Sequence, residues 1–230
     1  MVTTLYLVRH GETEGYEMKC YKGSIDVPLS SKGIEQIKKS SAFINAHLSQ
    51  SALLRRRSYL NDIHENSSLQ EINVSSLSTV YSSPLSRAVR SAEIIAVPSG
   101  LTPVKISEFR ERSFGIWEGL TFLEIKDKYP VEFANWADNP LKYSPPEGEN
   151  TIEVRDRVIK AVEEIIDKHK GRDESIAIVA HGGVNRIILC HFLGIPLEHI
   201  FRIEQDNAAV NIIEFWSKYP VVKLLNGVFY

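Results

Sequence analysis

The chain has 230 residues, of which 43% are hydrophobic and 24% charged, as in soluble globular proteins, and it is long enough to bury a sizeable core. A formal net charge of −2 excludes a global positive field that would attract nucleic acid or an acidic membrane. The two cysteines, Cys20 and Cys190, do not form a disulfide framework and fit a reducing compartment.

The first strand candidate begins almost at the first residue of the chain. Residues 5–8 are reached without a basic segment followed by a cleavable apolar one, so we expect no signal peptide. No apolar run has the length of a membrane span. We therefore expect a cytoplasmic protein with neither membrane nor nucleic acid as a partner.

Two short, unbroken apolar runs, residues 5–8 and 176–180, predict central strands of a parallel sheet, because both faces of such strands must be covered. Residues 77–82 are a third and more polar strand candidate. Near the end of the chain, residues 208–216 and 221–225 predict two strands joined by a turn.

Helical patterns lie between these strands. Apolar spacing predicts helices over residues 31–48, 84–96, 151–170 and 183–193. Ser83 is the expected N-cap of the second helix, with Pro84 in its first turn, and capping boxes are expected at Thr121 and Asn150. This alternation predicts an α/β three-layer sandwich, a mainly parallel central sheet with helices on both faces.

One segment departs from this composition. Residues 49–76 are rich in serine, asparagine and charge, and they include Arg55, Arg56 and Arg57 in a row. We interpret the segment as a surface insertion in a single domain that spans residues 1–230. Three successive arginines in a loop are usually a solvated surface.

Each of the two predicted central strands is followed by a His-Gly pair. His10-Gly11 follows the first strand, and His181-Gly182 follows the strand at residues 176–180. In open α/β sheets, ligands bind beyond the carboxyl ends of the strands, and glycines allow backbone amides to approach them. If the two strands are neighbours, the histidines meet. A single strand-end histidine is more often structural, so the prediction depends on the pair.

Two arginines belong to the same predicted edge. Arg9 precedes the first histidine, and Arg87 stands in the first turns of the helix after the strand at residues 77–82. Helix N-termini favour anions, and guanidinium groups match phosphate oxygens. Two histidines and two arginines therefore predict a phosphate site that contains a nucleophile, since imidazole is readily neutral near pH 7.

Phosphoryl transfer also needs an acid for the leaving oxygen. Glu111 and Glu118 are both candidates from the residues alone. Phe114 and Trp117 lie between them in sequence, and apolar surroundings would keep a carboxyl group protonated. The alternative interpretation is that the two aromatic rings are core side chains.

Five segments together resemble the motifs of the histidine phosphatase superfamily, the phosphoglycerate mutase-like proteins, and they occur in the family's order. They are residues 7–13, 23–30, 82–88, 109–119 and 179–183. The resemblance extends over nearly the whole chain apart from the segment at residues 49–76.

The resemblance implies a role for each matching residue. His10 would be the nucleophile that becomes phosphohistidine, and Glu111 would be the general acid and later the base for water. Arg9, Arg87 and His181 would bind the phosphoryl oxygens. The family uses no metal, and we expect neither a metal nor a cofactor here.

Three further residues are expected at the substrate. Gly23 and Gly182 belong to motifs that surround the phosphate. Tyr16 stands where the family often has an asparagine that helps to hold phosphate, and its hydroxyl group is the expected replacement.

The same resemblance leaves the reaction and the substrate open. Mutases of the family carry an arginine pair after the acid motif, whereas residues 127–150 here contain only Lys128 and Lys142 as basic residues, which favours hydrolysis. Residues 199–207 most resemble α-ribazole-5′-phosphate phosphatases of cobalamin synthesis, with phosphoserine and sugar phosphates as alternatives. The expected partner is a small phosphorylated metabolite, and a homodimer is one option for the assembly.

Two non-catalytic hypotheses remain. A phosphate-binding module that has lost activity is favoured slightly by Tyr16, but the retention of His10, Glu111 and His181 opposes it. A nucleic-acid binder that uses Arg55 to Arg57 would show steeply salt-dependent affinity, and the negative net charge opposes it.

Overall fold

The structure, a computed structural model, describes residues 2–62, 76–217 and 219–229. Within residues 52–62 it describes the backbone only, and elsewhere in these ranges it also describes the side chains. In this part of the chain, one six-stranded sheet has the order β3-β2-β4-β1-β5-β6. The strands are β1 (Thr3–Arg9), β2 (Thr79–Ser82), β3 (Val104–Lys105), β4 (Ser175–Ala180), β5 (Val210–Phe215) and β6 (Pro220–Gly227).

The first four strands in the sheet order are parallel, and the last two pair antiparallel at one edge. The longer helices are α1 (Ser31–Asp62), α2 (Ser86–Ala96), α3 (Phe122–Lys128), α4 (Pro130–Asp138), α5 (Thr151–His169) and α6 (Gly182–Leu193). No helix among the described residues has both the length and the apolar character needed to cross a membrane.

Side chains of β1 alternate between two cores. Leu5 and Leu7 pack in a cluster with residues of α5 and α6, whereas Tyr6 and Val8 pack in a second cluster with residues of α1 and α2. All four are almost fully buried, as expected for a central strand covered on both faces. The α/β three-layer sandwich with a mainly parallel sheet is therefore confirmed.

Helix α1 is longer than predicted. The spacing of apolar residues ends the helix at residue 48, but it continues to Asp62, so residues 49–62 of the predicted insertion are helical. These residues include no glycine or proline and several good helix formers, which favours continuation of the helix. The remainder of the segment, residues 63–75, and the side chains of Arg55, Arg56 and Arg57 lie outside the described part.

Helix α2 begins later than predicted. Its N-cap position is occupied by Leu85 and not by Ser83. The Ser83 side chain accepts the Leu85 amide at 3.3 Å and contacts His181 at 2.7 Å, so it lies before the helix and takes part in the site. The predicted capping boxes at Thr121 and Asn150 are both present. Strand β3 and helix α4 were not predicted from the sequence.

Candidate active site

The carboxyl ends of β1 and β4 bring the two histidines together. The strands pair in parallel, with Arg9 opposite Ala180, so the residues after them lie side by side. The amide of His10 donates to the carbonyl of Ala180 at 3.0 Å, and the ring centroids of His10 and His181 are 5.0 Å apart. The predicted meeting of the histidines is thus observed.

The orientation of the His10 ring is set by its own backbone. Nδ1 lies 2.7 Å from the carbonyl oxygen of Gly11, which can only accept, so Nδ1 carries the proton. Nε2 is then the nitrogen with the free electron pair. Burial lowers the pKa of His10 well below its usual value, and the cations of Arg9 and Arg87 lower it further. The imidazole is therefore neutral at pH 7.

His181 is held through its other ring nitrogen, Nε2. Its Nε2 lies 2.7 Å from Ser83 Oγ, and its Nδ1 is buried without a hydrogen-bond partner among the described residues. Ser83 already accepts the Leu85 amide, so donation of its hydroxyl proton to His181 leaves the fewest unsatisfied groups. That assignment makes Nδ1 a donor. Burial lowers the pKa of His181 well below its usual value.

Glycine is required where the strand β1 turns away from the sheet. A Cβ atom at Gly11 would lie 2.3 Å from the carbonyl oxygen of Gly33, at the start of α1. A Cβ atom at Gly33 would in turn lie 2.0 Å from the carbonyl oxygen of Glu12. The loop after His10 therefore packs directly on α1, which fixes the histidine relative to the helix layer.

The two predicted arginines are both anchored and desolvated. Arg9 donates to the Gln205 carbonyl at 2.5 Å, and its buried Nε has no partner among the described residues. Arg87 donates to the carbonyls of Ile25 and Gly23 at 2.7 and 2.6 Å. Burial lowers the pKa of each guanidinium, and the Glu111 carboxylate partly offsets this. Both cations stay charged, because a guanidinium group loses its proton only far above neutral pH.

The two candidate acids have different surroundings. Glu118 Oε1 accepts three hydrogen bonds, from the Ser24 amide, the Ser24 hydroxyl and the Phe114 amide, at 2.8 to 3.0 Å. Glu111 lines the cleft above His10 and accepts from the Arg112 and Gly183 amides at 3.0 and 3.1 Å. Glu118 is thus used to hold the loop together, and Glu111 is the carboxyl group within the cleft.

The segment that carries Glu111 is fixed by an ion pair behind it. Arg157 on α5 makes two contacts of 2.9 Å to the Glu149 carboxylate and donates to the Arg110 carbonyl at 2.8 Å. Glu149 also accepts from the Ser113 amide at 2.9 Å and from the Arg110 guanidinium at 3.3 Å. Asn150, next to Glu149, caps α5, so residues 149–150 connect this helix to the segment that carries Glu111.

These residues surround a cleft of about 390 Å³, a size typical of small-molecule sites. Six of the predicted residues line it, namely Arg9, His10, Tyr16, Gly23, Arg87 and Glu111. His181 and Gly182 do not. His181 is fully buried against His10, and Gly182 lies beside Arg9, where a Cβ atom would be 3.4 Å from Nε.

Several residues of the cleft were not predicted from the sequence. They are Thr13, Lys19, Cys20, Tyr21, Lys22 and Asn207, while Phe114, which was considered as core, also faces the cleft. Lys22 directly precedes the Gly23 motif, and this position in the sequence could have indicated that the lysine lies at the cleft. Trp117 is fully buried and is core, as one of the two readings had it.

Of the predicted residues, Gly23 contributes through its backbone, and Tyr16 lies at the rim of the cleft. Gly23 has a φ of 47°, and a Cβ atom there would lie 2.3 Å from Glu118 Oε1. Its carbonyl accepts from Arg87, so this glycine places the arginine. Tyr16 stands in a short 3-10 turn at the rim, half exposed, after Gly15 with a φ of 60°.

Comparison with known proteins agrees with this geometry. The sequence pattern of the histidine phosphatase superfamily (branch 1) matches residues 5–70 and 64–227. The chain belongs to this superfamily. It is 29% identical to phosphoserine phosphatase 1 of Hydrogenobacter thermophilus over 222 residues, which is 96% of this chain and 91% of the relative.

Two further similarities cover the whole histidine phosphatase domain. Identity to the adenosylcobalamin/alpha-ribazole phosphatase of Escherichia coli is 24%, over 97% of this chain and 95% of that protein. The solved structure of Bacillus stearothermophilus YhfR superimposes with a TM-score of 0.78 at 29% identity and covers 98% of each chain. The expected membership of the phosphatase family is confirmed, and relatives with different substrates are similar to this chain.

Proposed function

We propose that the protein is a metal-independent phosphomonoesterase that transfers a phosphoryl group to His10 and then to water. The observation that carries this proposal is the state of His10, a neutral and buried imidazole whose Nε2 is left free beside two guanidinium groups. Phosphoryl transfer needs an in-line nucleophile and charge stabilisation, and this cleft offers both.

In the first step, His10 Nε2 attacks the phosphorus atom of the bound monoester. A nitrogen–phosphorus bond forms while the bond between phosphorus and the ester oxygen breaks. Glu111, in its protonated form, gives its proton to the leaving oxygen, so the alcohol departs neutral. The Arg112 and Gly183 amides hold the Glu111 carboxyl group in place for this transfer.

In the second step, water attacks phosphohistidine from the side that the alcohol has left. The Glu111 carboxylate takes a proton from this water as the oxygen–phosphorus bond forms. The nitrogen–phosphorus bond breaks, inorganic phosphate is released, and His10 recovers its electron pair on Nε2. Glu111 is again protonated, so the cycle is closed.

The phosphoryl oxygens would be stabilised by fixed donors. The unpartnered Nε of Arg9 and Nδ1 of His181 are buried polar groups that need an explanation, and a phosphoryl oxygen supplies one for each. Arg87 adds a third donor group whose orientation is fixed by the Gly23 and Ile25 carbonyls. Donors that are already oriented need no reorganisation during the reaction, which is where electrostatic catalysis gains most.

Hydrolysis is preferred over transfer to a second substrate. Lys128 and Lys142 are the basic residues between positions 127 and 150, and neither lines the cleft. Without a basic clamp in this segment, water reaches the phosphohistidine readily. We propose a small phosphorylated metabolite as the substrate, with α-ribazole-5′-phosphate and phosphoserine as the first two to assay, since relatives named for both are similar to this chain.

The decisive experiment is hydrolysis of p-nitrophenyl phosphate in excess EDTA, with wild type and His10→Ala side by side. We expect turnover by wild type and a loss of at least about 10⁴-fold in the variant, because the covalent route is removed. Equal activity of the two proteins would refute the assignment of His10. Loss of wild-type activity in EDTA would refute the metal-independent route.

A further inference from the structure

Lys22 is a cation in the cleft that the family resemblance did not assign. It lines the cleft together with Arg9, His10, Arg87 and Glu111. Its side chain is partly buried, and burial followed by the nearby charge of Arg87 lowers its pKa. The lysine is thus close enough to the phosphate site to interact with its charges.

The ammonium group of Lys22 has no acidic partner among the described residues. It donates to Thr13 Oγ1 at 2.8 Å and to the Glu14 carbonyl, and both of these acceptors are neutral. By contrast, Lys32 and Lys38 on α1 each lie 2.7 Å from a glutamate oxygen. An ammonium group has three N–H donors, so one donor of Lys22 remains for a ligand.

The charge balance of the cleft favours a strongly anionic ligand. Among its described lining residues, the basic ones are Arg9, Lys19, Lys22 and Arg87, and Glu111 is the acidic one. The lowered pKa values of the two histidines leave them neutral. An excess of cations at short range is costly unless an anion lies between them, and a phosphomonoester dianion fits this requirement.

The departure at Tyr16 gives Lys22 a specific task. The family often places an asparagine at that position, where it helps to hold phosphate. Tyr16 is 51% exposed and lies in a short 3-10 turn at the rim of the cleft. Lys22 extends from the next turn of the same loop, and its ammonium lies near Gly15, about 4.0 Å from where a Cβ atom would be.

We propose that Lys22 is a further phosphate-binding residue, whose ammonium contacts a non-bridging oxygen of the transferred phosphoryl group in place of the missing asparagine. This inference rests on the proposed function of the cleft. The contact is charge-assisted, and it adds a positive charge where the family residue supplies a neutral amide. It therefore strengthens the binding of dianionic phosphate.

The direct test is calorimetric titration of inorganic phosphate into wild type, Lys22→Ala and Lys22→Arg, with Lys38→Ala as a surface control. We expect phosphate to bind about 10- to 100-fold more weakly to Lys22→Ala, as for loss of a charged hydrogen bond. Lys22→Arg is expected to stay within about threefold of wild type, because its charge is kept, although its shape differs. Binding to Lys22→Ala within twofold of wild type would overturn the inference.

A matched substrate pair shows which group Lys22 contacts. Phosphoglycolate and 2-hydroxyethyl phosphate are nearly equal in size, and they differ in the carboxylate. A contact with the transferred phosphoryl group predicts that Lys22→Ala lowers kcat/KM by the same factor for both. A loss confined to phosphoglycolate would mean that the lysine contacts a second anionic group, and the inference would be wrong.

Different results would refute the proposed function and the Lys22 contact. If wild type binds phosphate through Lys22 but hydrolyses no monoester, the proposed function fails and the Lys22 contact stands. If wild type hydrolyses monoesters and phosphate binding is indifferent to Lys22, the lysine assignment alone fails. Thermal unfolding of each variant shows whether the fold is intact, and Lys22→Arg retains a test if Lys22→Ala is unstable.

Discussion

His10 and His181 arise from the same local pattern, but hydrogen bonds hold them through different ring nitrogens. Each follows a buried central strand and precedes a glycine, and burial lowers the pKa of both. The Gly11 carbonyl holds the proton of His10 on Nδ1, whereas the Ser83 hydroxyl lies against Nε2 of His181. One ring presents an electron pair, and the other presents a donor.

The contrast shows that the hydrogen-bond partner, and not the strand or the burial, decides the role of such a histidine. A backbone carbonyl can only accept, so it selects one tautomer without exception. A hydroxyl group can donate or accept, and here the Leu85 amide occupies its acceptor side. The two rings thus differ in the nitrogen that their hydrogen-bond partners leave available.

Among variants that keep His10, the largest expected effect comes from removing the donor. We expect His181→Ala to lower kcat by about 10²- to 10³-fold, the usual cost of losing one fixed donor to a developing charge. Phosphohistidine should still form slowly on His10, because the nucleophile is intact. Mass spectrometry of protein quenched in alkali during turnover measures it.

His10→Ala is the matched control for this measurement and should show no phosphohistidine at all. A phosphorylated His181 in that variant would mean that His181, and not His10 alone, can act as the nucleophile. Abolition of phosphohistidine in His181→Ala, with the fold intact, would mean that the two rings act as one unit.

The next effect concerns the carboxyl group bonded to the amide of Gly183, on the His181 side of the cleft. We expect Glu111→Gln to slow alkyl phosphates by about 10²-fold or more and p-nitrophenyl phosphate by less than about tenfold, because a good leaving group needs little protonation. The ratio of kcat/KM values for the two esters measures this.

Glu118→Gln is the matched control for the acid, since its amide oxygen can still accept the Ser24 and Phe114 contacts. It should leave the ratio between the two esters unchanged. Equal losses on both esters in Glu111→Gln would argue against Glu111 as the acid.

The smallest effect is on stability. Both histidines have lowered pKa values in the folded state, so the unfolded chain binds more protons below its histidine pKa of about 6.5. The contribution of the two histidines to the free energy of unfolding is therefore complete above pH 6.5. It decreases as the pH falls toward the folded pKa values, by at most about 1.4 kcal/mol per pH unit for each histidine.

Urea unfolding between pH 5 and 7.5 measures this slope. His181→Gln should reduce it by the share of one histidine, and a slope identical to that of wild type would show that His181 is not buried in its neutral form.

Much of the site was predictable because local patterns carry it. Two unbroken apolar runs ending in His-Gly predicted neighbouring central strands, and strands β1 and β4 do pair in parallel. The family motifs also named Arg9, Arg87 and Glu111, all of which line the cleft. Ser83 was misassigned because its contact with His181, 98 residues away, forms only in the folded chain. Lys22 was missed because no motif marks it, although its hydrogen-bond partners lie eight and nine residues away.

The amino-acid sequence by itself determined the layer architecture, the two strand ends that carry histidine, and the capping boxes at Thr121 and Asn150, because each depends on apolar spacing or on neighbours within a few residues. Tertiary structure decided which of the two carboxyl groups lines the cleft, since Glu111 lies there and Glu118 instead bonds Ser24, 94 residues away. It also decided the tautomer of His181, which depends on a hydroxyl 98 residues away. Contacts of this range leave no periodicity along the chain, because they are created only when the strands assemble.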